Sequence, residues 1–137
     1  MVTIIDADGL ILGRLSTHAA KRLLKDEEVA VVNSEKALIT GKKASIKRNY
    51  MQKREVGTYR KGPFFHRMPD KIVKRTIRGM LPYQTPHGRS AFKRLKCYIG
   101  IPKEFEGKKF EVVEKVKNKS ARYMTIEELS KFLGAQF

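Results

Sequence analysis

The sequence predicts an α/β fold that opens with a βαβ unit. Three observations in its first third carry this. Thr3–Asp6 (TIID) is β-branched, Arg14–Lys25 has a one-faced apolar stripe, and Val29–Val32 (VAVV) is a short continuous apolar run. A strand, a helix and a strand in that order assemble most simply as a right-handed parallel crossover.

Each element has its own reason. TIID predicts a strand because β-branched side chains suit a pleated surface. Gly9 and Gly13 punctuate its exit. In the helix that follows, Leu15, Ala19, Ala20, Leu23 and Leu24 fall at offsets 0, 4, 5, 8 and 9, one side of a cylinder. VAVV, bounded by acids and Asn33, reads as a strand buried on both faces. A second helix is expected from Thr40 or Gly41 to about Glu55, with its lysines and arginines spread around it. Gly57 to Pro63 reads as a loop, and Leu95–Ile99 as a strand closed by Gly100 and Pro102. Phe110–Val116 suits a strand or an extended arm. Thr125 and Glu128 form a capping box that opens a helix over about 125–134, with Ile126, Leu129, Phe132 and Leu133 on one side. No repeat, low-complexity segment or linker divides the 137 residues, so 1–137 is expected to be one domain.

Charge narrows the function. Thirty Lys and Arg face fourteen Asp and Glu, a net +16. Between Lys42 and Lys96, seventeen cations face only Glu55 and Asp70, a net +15, while the rest of the chain holds thirteen against twelve. A solvated face intersperses acids, and this block does not. A membrane-surface role would bring an amphipathic helix with large exposed apolar residues, or a lipid anchor, and neither is visible. A polyanion, nucleic acid above all, is the expected partner. No run approaches a membrane span, and MVTIIDADGL lacks the basic start and apolar run of a secretory leader. The single cysteine, Cys97, forbids an intrachain disulfide and suits a reducing cytoplasm.

Pro69–Leu81 separates core from partner. Ile72, Val73, Thr76, Ile77, Met80 and Leu81 lie on one face, and Lys71, Lys74, Arg75 and Arg78 on the opposite one. Like charges at these spacings oppose folding by a few tenths of a kcal/mol per pair, about 0.2–0.5. A phosphate backbone would turn that repulsion into attraction.

Motifs for catalysis fail one by one. DGLILGRLS sits where a dinucleotide fingerprint would, but Leu-Ile-Leu separates Gly9 from Gly13, so the glycines serve a strand-to-helix turn. TGKKAS echoes a phosphate-binding loop, yet Lys36 stands where its first glycine belongs and Lys43 where Ser or Thr should follow Lys42. His18, His66 and His87 have no metal-ligand spacing. A nuclease would need a carboxylate beside His66. The nearest, Asp70, is placed to cap the Pro69 helix, and no carboxylate pair is present to hold Mg²⁺. No metal, cofactor or small-molecule substrate is therefore expected. The block also carries Tyr50, Tyr59, Phe64, Phe65, Tyr83 and Phe92, and rings among cations suit stacking on unpaired bases. Phe64 or Phe65 is expected in the core, and Tyr59 or Tyr83 free. DNA-reading modules and the RRM signature are absent, which leaves recognition of RNA shape and backbone. An RNA-processing enzyme and a free regulatory RNA binder remain the alternatives.

Four stretches, GRLSTHAAKRLL, VVNSEKALITGKK, RKGPFFHRMPDKIVKRTIRGMLP and GRSAFKRLKCYIGIP, resemble the ribosomal protein L13 family in order and content. The resemblance runs from about Ile4 to Pro102 and is closest to the archaeal and eukaryotic branch. RGMLP at Arg78–Pro82 and the Gly62–Arg67 segment are its most specific parts. Eukaryotic members carry a longer C-terminal helical extension, whereas this sequence stops at Phe137, so an archaeal member is expected. The resemblance implies a small, mainly parallel sheet with helices on both faces and basic extensions. It also implies a non-catalytic structural role in the cytoplasmic large ribosomal subunit, binding of large-subunit (23S-type) rRNA early in assembly, and contacts with neighbouring large-subunit proteins. The rRNA-facing positions it implies are Lys42, Lys43, Lys47, Arg48, Arg60, Lys61, His66, Arg67, Lys71, Lys74, Arg75, Arg78, Arg89, Lys93 and Arg94.

Overall fold

The computed structural model describes residues 2–113 and 120–137. Strands β1 (Val2–Asp6), β2 (Glu28–Val32) and β4 (Leu95–Cys97) form a parallel sheet in the order β1-β2-β4. Helix α1 (Leu12–Leu23) connects the first two, as the apolar stripe predicts. Ile4 pairs with Ala30 and Ile5 with Val31, so alternate residues of both strands reach opposite faces together.

The two faces are covered unequally. Ile5, Val29 and Val31 join the main core with Leu15, Ala19 and Leu23 of α1 and Ile72, Val73 and Ile77 of α3 (Pro69–Gly79). Ile4, Ala30 and Val32 meet a smaller cluster built on Phe105, which a 3-10 turn at Lys103–Phe105 supplies. Burying each Val, Leu, Ile or Phe side chain among these contributes about 1.5–3 kcal/mol. This explains why α3 can carry its cations: its apolar side is held by the sheet and α1.

A second sheet was not legible in the sequence. β3 (Leu38–Thr40) pairs antiparallel with β5 (Tyr123–Thr125). It draws the C-terminal helix α5 (Ile126–Phe132) against the start of α2 (Lys43–Glu55). Thr40 therefore belongs to a strand. Gly41, at φ +124°, breaks the chain before α2, which starts later than its expected Thr40 or Gly41. Helix α4 (Pro86–Lys93) was likewise not expected. Its signals are Thr85, whose hydroxyl accepts from the Gly88 N–H at 3.2 Å, and Pro86 in the first turn.

Other expectations are trimmed. The strand expected over Leu95–Ile99 ends at Cys97. Phe110–Val113 contributes a single bridge, Glu111 to Ile5, and residues 114–116 of that expected element lie outside the described residues. Thr125 caps α5 as expected, accepting from the Glu128 N–H at 3.2 Å, while the Glu128 carboxylate faces Lys43. Two residues near the ends of their apolar stripes, Met80 and Phe132, are each 42% exposed, whereas Leu81 and Leu133 beside them are buried. Asp70 stands in the first turn of α3 without a side-chain capping bond, and its Oδ1 is buried with no hydrogen-bond partner among the described residues.

Candidate nucleic-acid interface

The block from Lys42 to Lys96 folds as α2, a hairpin loop, α3 and α4. Its most concentrated charge is the outer face of α3. Lys71, Lys74, Arg75 and Arg78 line one shallow depression together with His66 and Phe92. Helical spacing aligns the four cations, and the segment before Pro69 adds the histidine.

Three of these four cations rest on rings. The Arg75 guanidinium lies 4.5 Å from the Phe65 centroid, Lys74 Nζ 5.2 Å from that of Phe92, and the Arg78 guanidinium 5.3 Å from that of Tyr83. The rings in turn meet edge to face: Tyr50 with Phe65 at 5.6 Å, and Tyr83 with Phe92 at 5.4 Å. Lys53 sits over both Tyr50 and Phe65, at 4.6 and 5.4 Å. Such contacts are attractive because the ring face carries the negative end of its quadrupole. Among the described residues, only two of the block's seventeen cations make a salt bridge, Lys43 to Glu128 and Arg94 to Asp26.

The pairing also joins elements. Arg54 donates from Nη1 to the Phe65 carbonyl at 2.7 Å, fixing the end of α2 to the loop. Burial, and then the nearby Arg67, push the Arg54 guanidinium below its usual value. Lys53, Val56, Pro63, Phe65 and Arg75 line a cleft of about 390 Å³ beside this joint. The loop closes on itself through two mutual backbone bonds between Thr58 and Gly62, at 3.2 and 2.9 Å.

The expected site residues are placed as follows. Lys42, just before α2, and Arg48 on it are exposed. Lys43 pairs with Glu128 at 3.1 Å, and Lys47 lies 5.1 Å from the Phe132 centroid, so both lean on α5. Arg60, Lys61, His66 and Arg67 are exposed on and after the loop. Arg89 donates to the Gln84 carbonyl at 3.0 Å. Lys93 and Arg94 line a separate cleft with Val2, Glu28 and Phe105. Arg94 spends one terminal nitrogen on the Leu23 carbonyl and Asp26, both at 2.9 Å, which ties α4 to the end of α1. Lys53 and Arg54 were missed. Their signal was position, because they end α2 just before the ring-rich loop they hold.

His66 lies among cations. Burial lowers its pKa below the ordinary 6.5, Lys71, Arg75 and Arg78 lower it further, and Asp70 opposes them. Among the described residues no three His, Cys, Asp or Glu side chains gather where a metal could bind. No described helix is long and apolar enough to cross a membrane. Of the rings, Tyr50, Phe65 and Phe92 are half-buried, and Tyr50 and Phe92 rather than the expected Phe64 or Phe65 pack against the core, while Tyr59 is 86% exposed, Phe64 64% and Tyr83 41%.

Comparison with known proteins gives one consistent result. A family model for ribosomal protein L13 matches residues 1–104. Large ribosomal subunit protein uL13 of Methanocaldococcus jannaschii is 49% identical, over 99% of this chain and all of that protein. The protein of the same name from Archaeoglobus fulgidus is 48% identical, over 96% of this chain and 87% of its own length. That from Methanococcoides burtonii is 47% identical, over 99% and 100%.

Proposed function

Because the chain belongs to the ribosomal protein L13 family, we propose that its basic block binds and stabilises large-subunit rRNA. Membership makes it a structural constituent of the large subunit, in the cytoplasm, and not an enzyme. The observation that carries the rRNA reading is the α3 face, four cations and a histidine in one depression, with none of the four cations salt-bridged among the described residues. Phosphates would neutralise these charges and release the counterions condensed on the RNA. Lys42 just before α2 and Arg48 on it, Arg60, Lys61 and Arg67 around the loop, and Arg89 and Lys93 on α4 extend the contact to further RNA segments. Lys43 and Lys47 contribute beside α5. Arg94 contributes chiefly by holding α4 in place.

A protein that lets RNA segments approach one another acts best before they are otherwise fixed, so binding belongs early in subunit assembly. The near-neutral remainder of the chain is left for neighbouring large-subunit proteins. The test is ultraviolet crosslinking in intact large subunits, with both adducts sequenced. Adducts should fall within 42–96. Adducts confined to the remainder would overturn the assignment.

A further inference from the structure

The loop between α2 and α3 presents two large rings that its own fold does not use. Tyr59 stands at the tip and Phe64 at the base. The backbone around them is tightly set. Gly57 has φ +89°, and a Cβ there would sit 2.1 Å from the Gly62 carbonyl oxygen. Gly62 has φ +81°, and the Phe64 ring lies against it, 3.0 Å from where a Cβ would be. The Lys61 N–H adds a bond to Thr58 Oγ1 at 3.1 Å. Directly after Phe64, Phe65 turns inward under Arg75, and Arg54 holds its carbonyl. Phe65 is thereby half-buried, while Phe64 beside it stays exposed.

Resting on the rRNA reading above, we infer that Tyr59 and Phe64 form a stacking clamp for unpaired nucleotides. The occupant follows from the surroundings. From Val56 to Met68 every charged side chain is a cation, Arg60, Lys61 and Arg67, so an acidic or neutral protein surface is matched less well than a phosphodiester chain. Arg60 lies 5.8 Å from the Tyr59 centroid, where its guanidinium can meet the phosphate of a base on that ring. Duplex RNA cannot supply the partner, because its bases are already stacked and its deep groove is closed to side chains. Preset rings lose little freedom on binding, which favours the contact.

The test uses a 12-nucleotide single-stranded RNA carrying 2-aminopurine and a blunt 20-base-pair RNA duplex. The wild-type protein should quench the fluorophore on binding. Tyr59→Leu with Phe64→Leu should abolish the quenching and weaken single-strand binding by roughly tenfold or more. Duplex affinity and salt dependence should stay unchanged, and Tyr59→Phe should keep the signal. Both rings are exposed, and an unchanged thermal melt verifies the fold. Quenching that survives the double substitution, or equal weakening on duplex and single strand, overturns the clamp. Wild-type binding to both RNAs that ignores salt overturns the rRNA reading instead.

Discussion

Replacing Lys71, Lys74, Arg75 and Arg78 together by glutamine separates what α3 does for the fold from what it does for RNA. Three of the four cations lie over rings, at 4.5, 5.2 and 5.3 Å. At about 0.5–1 kcal/mol each, their loss costs roughly 1.5–3 kcal/mol. The same change removes four like-charge pairs at i,i+3 and i,i+4, which returns about 1–2 kcal/mol. Glutamine keeps much of the aliphatic stem, and Ile72, Val73 and Ile77 remain buried on the other side. The net change in stability is therefore within about 2 kcal/mol, and urea unfolding should show a cooperative transition with an unchanged m-value. Binding should respond differently. Each phosphate contact contributes about 0.7–0.9 to the slope of log K against log salt, so four lost contacts make it shallower by roughly 3. Over a fourfold rise in salt the wild type then loses about 60-fold more affinity than the variant. Filter binding to large-subunit rRNA across a KCl series reads this directly. Parallel salt lines for the two proteins would refute the assignment of this face.

Gly88→Ala should destabilise by at least about 2 kcal/mol, read as a lower urea midpoint, because its Cβ would stand 1.9 Å from the Pro82 carbonyl oxygen. A midpoint within error of the wild type would show that α4 moves freely from that carbonyl. His66 carries a lowered folded pKa, chiefly through burial and then through Lys71, Arg75 and Arg78, so its contribution is present above pH 6.5 and lost as pH falls through the lowered value. Between about pH 7.5 and 5.5 the free protein should lose more stability than His66→Gln, and equal losses would show that the imidazole is fully solvated. Burial pushes the Cys97 thiol up to about 12, with Lys74 opposing and Asp70 adding. The native protein should therefore resist a thiol reagent at mild alkaline pH and react fully in urea, and rapid stoichiometric labelling without urea would contradict it.

How much of this was legible depended on how local each cause was. The βαβ start was readable because α1 is twelve residues of one-sided periodicity, and β2 is four buried residues in a row. β3 and β5 were not, because each has three residues and their pairing spans most of the chain, from Leu38 to Thr125. α4 carried a cap and a first-turn proline, but eight residues with a glycine inside gave no periodicity to support them. Met80 and Phe132 fit their stripes in sequence and yet are each exposed, while the next residue of each stripe, Leu81 and Leu133, is buried, so periodicity marks the apolar side of a helix and not which of its residues the neighbouring elements cover. Within the site, the opposed faces of α3 were explicit in the spacing of its residues. The assignment of cations to rings was not, because Arg75 meets Phe65 and Lys74 meets Phe92 only after the loop and α4 have packed against α3.

That assignment bears on how so basic a face can fold before RNA arrives. An acid partner would offset the repulsion, but it would occupy the guanidinium or ammonium and would have to be displaced, uncompensated, by a phosphate. A ring offsets part of the repulsion from one side only. The donors of Arg75, Arg78 and Lys74 lie around the cation rather than in the ring contact, so a phosphate can add without breaking it. Arg94 shows the opposite solution. Its Nη2 is committed to the Leu23 carbonyl and Asp26, and its side chain is only 23% exposed. The block therefore contains two kinds of cation that its composition cannot tell apart. Those on rings are positioned and still available, whereas Arg94, held by an acid and a carbonyl, is part of the scaffold.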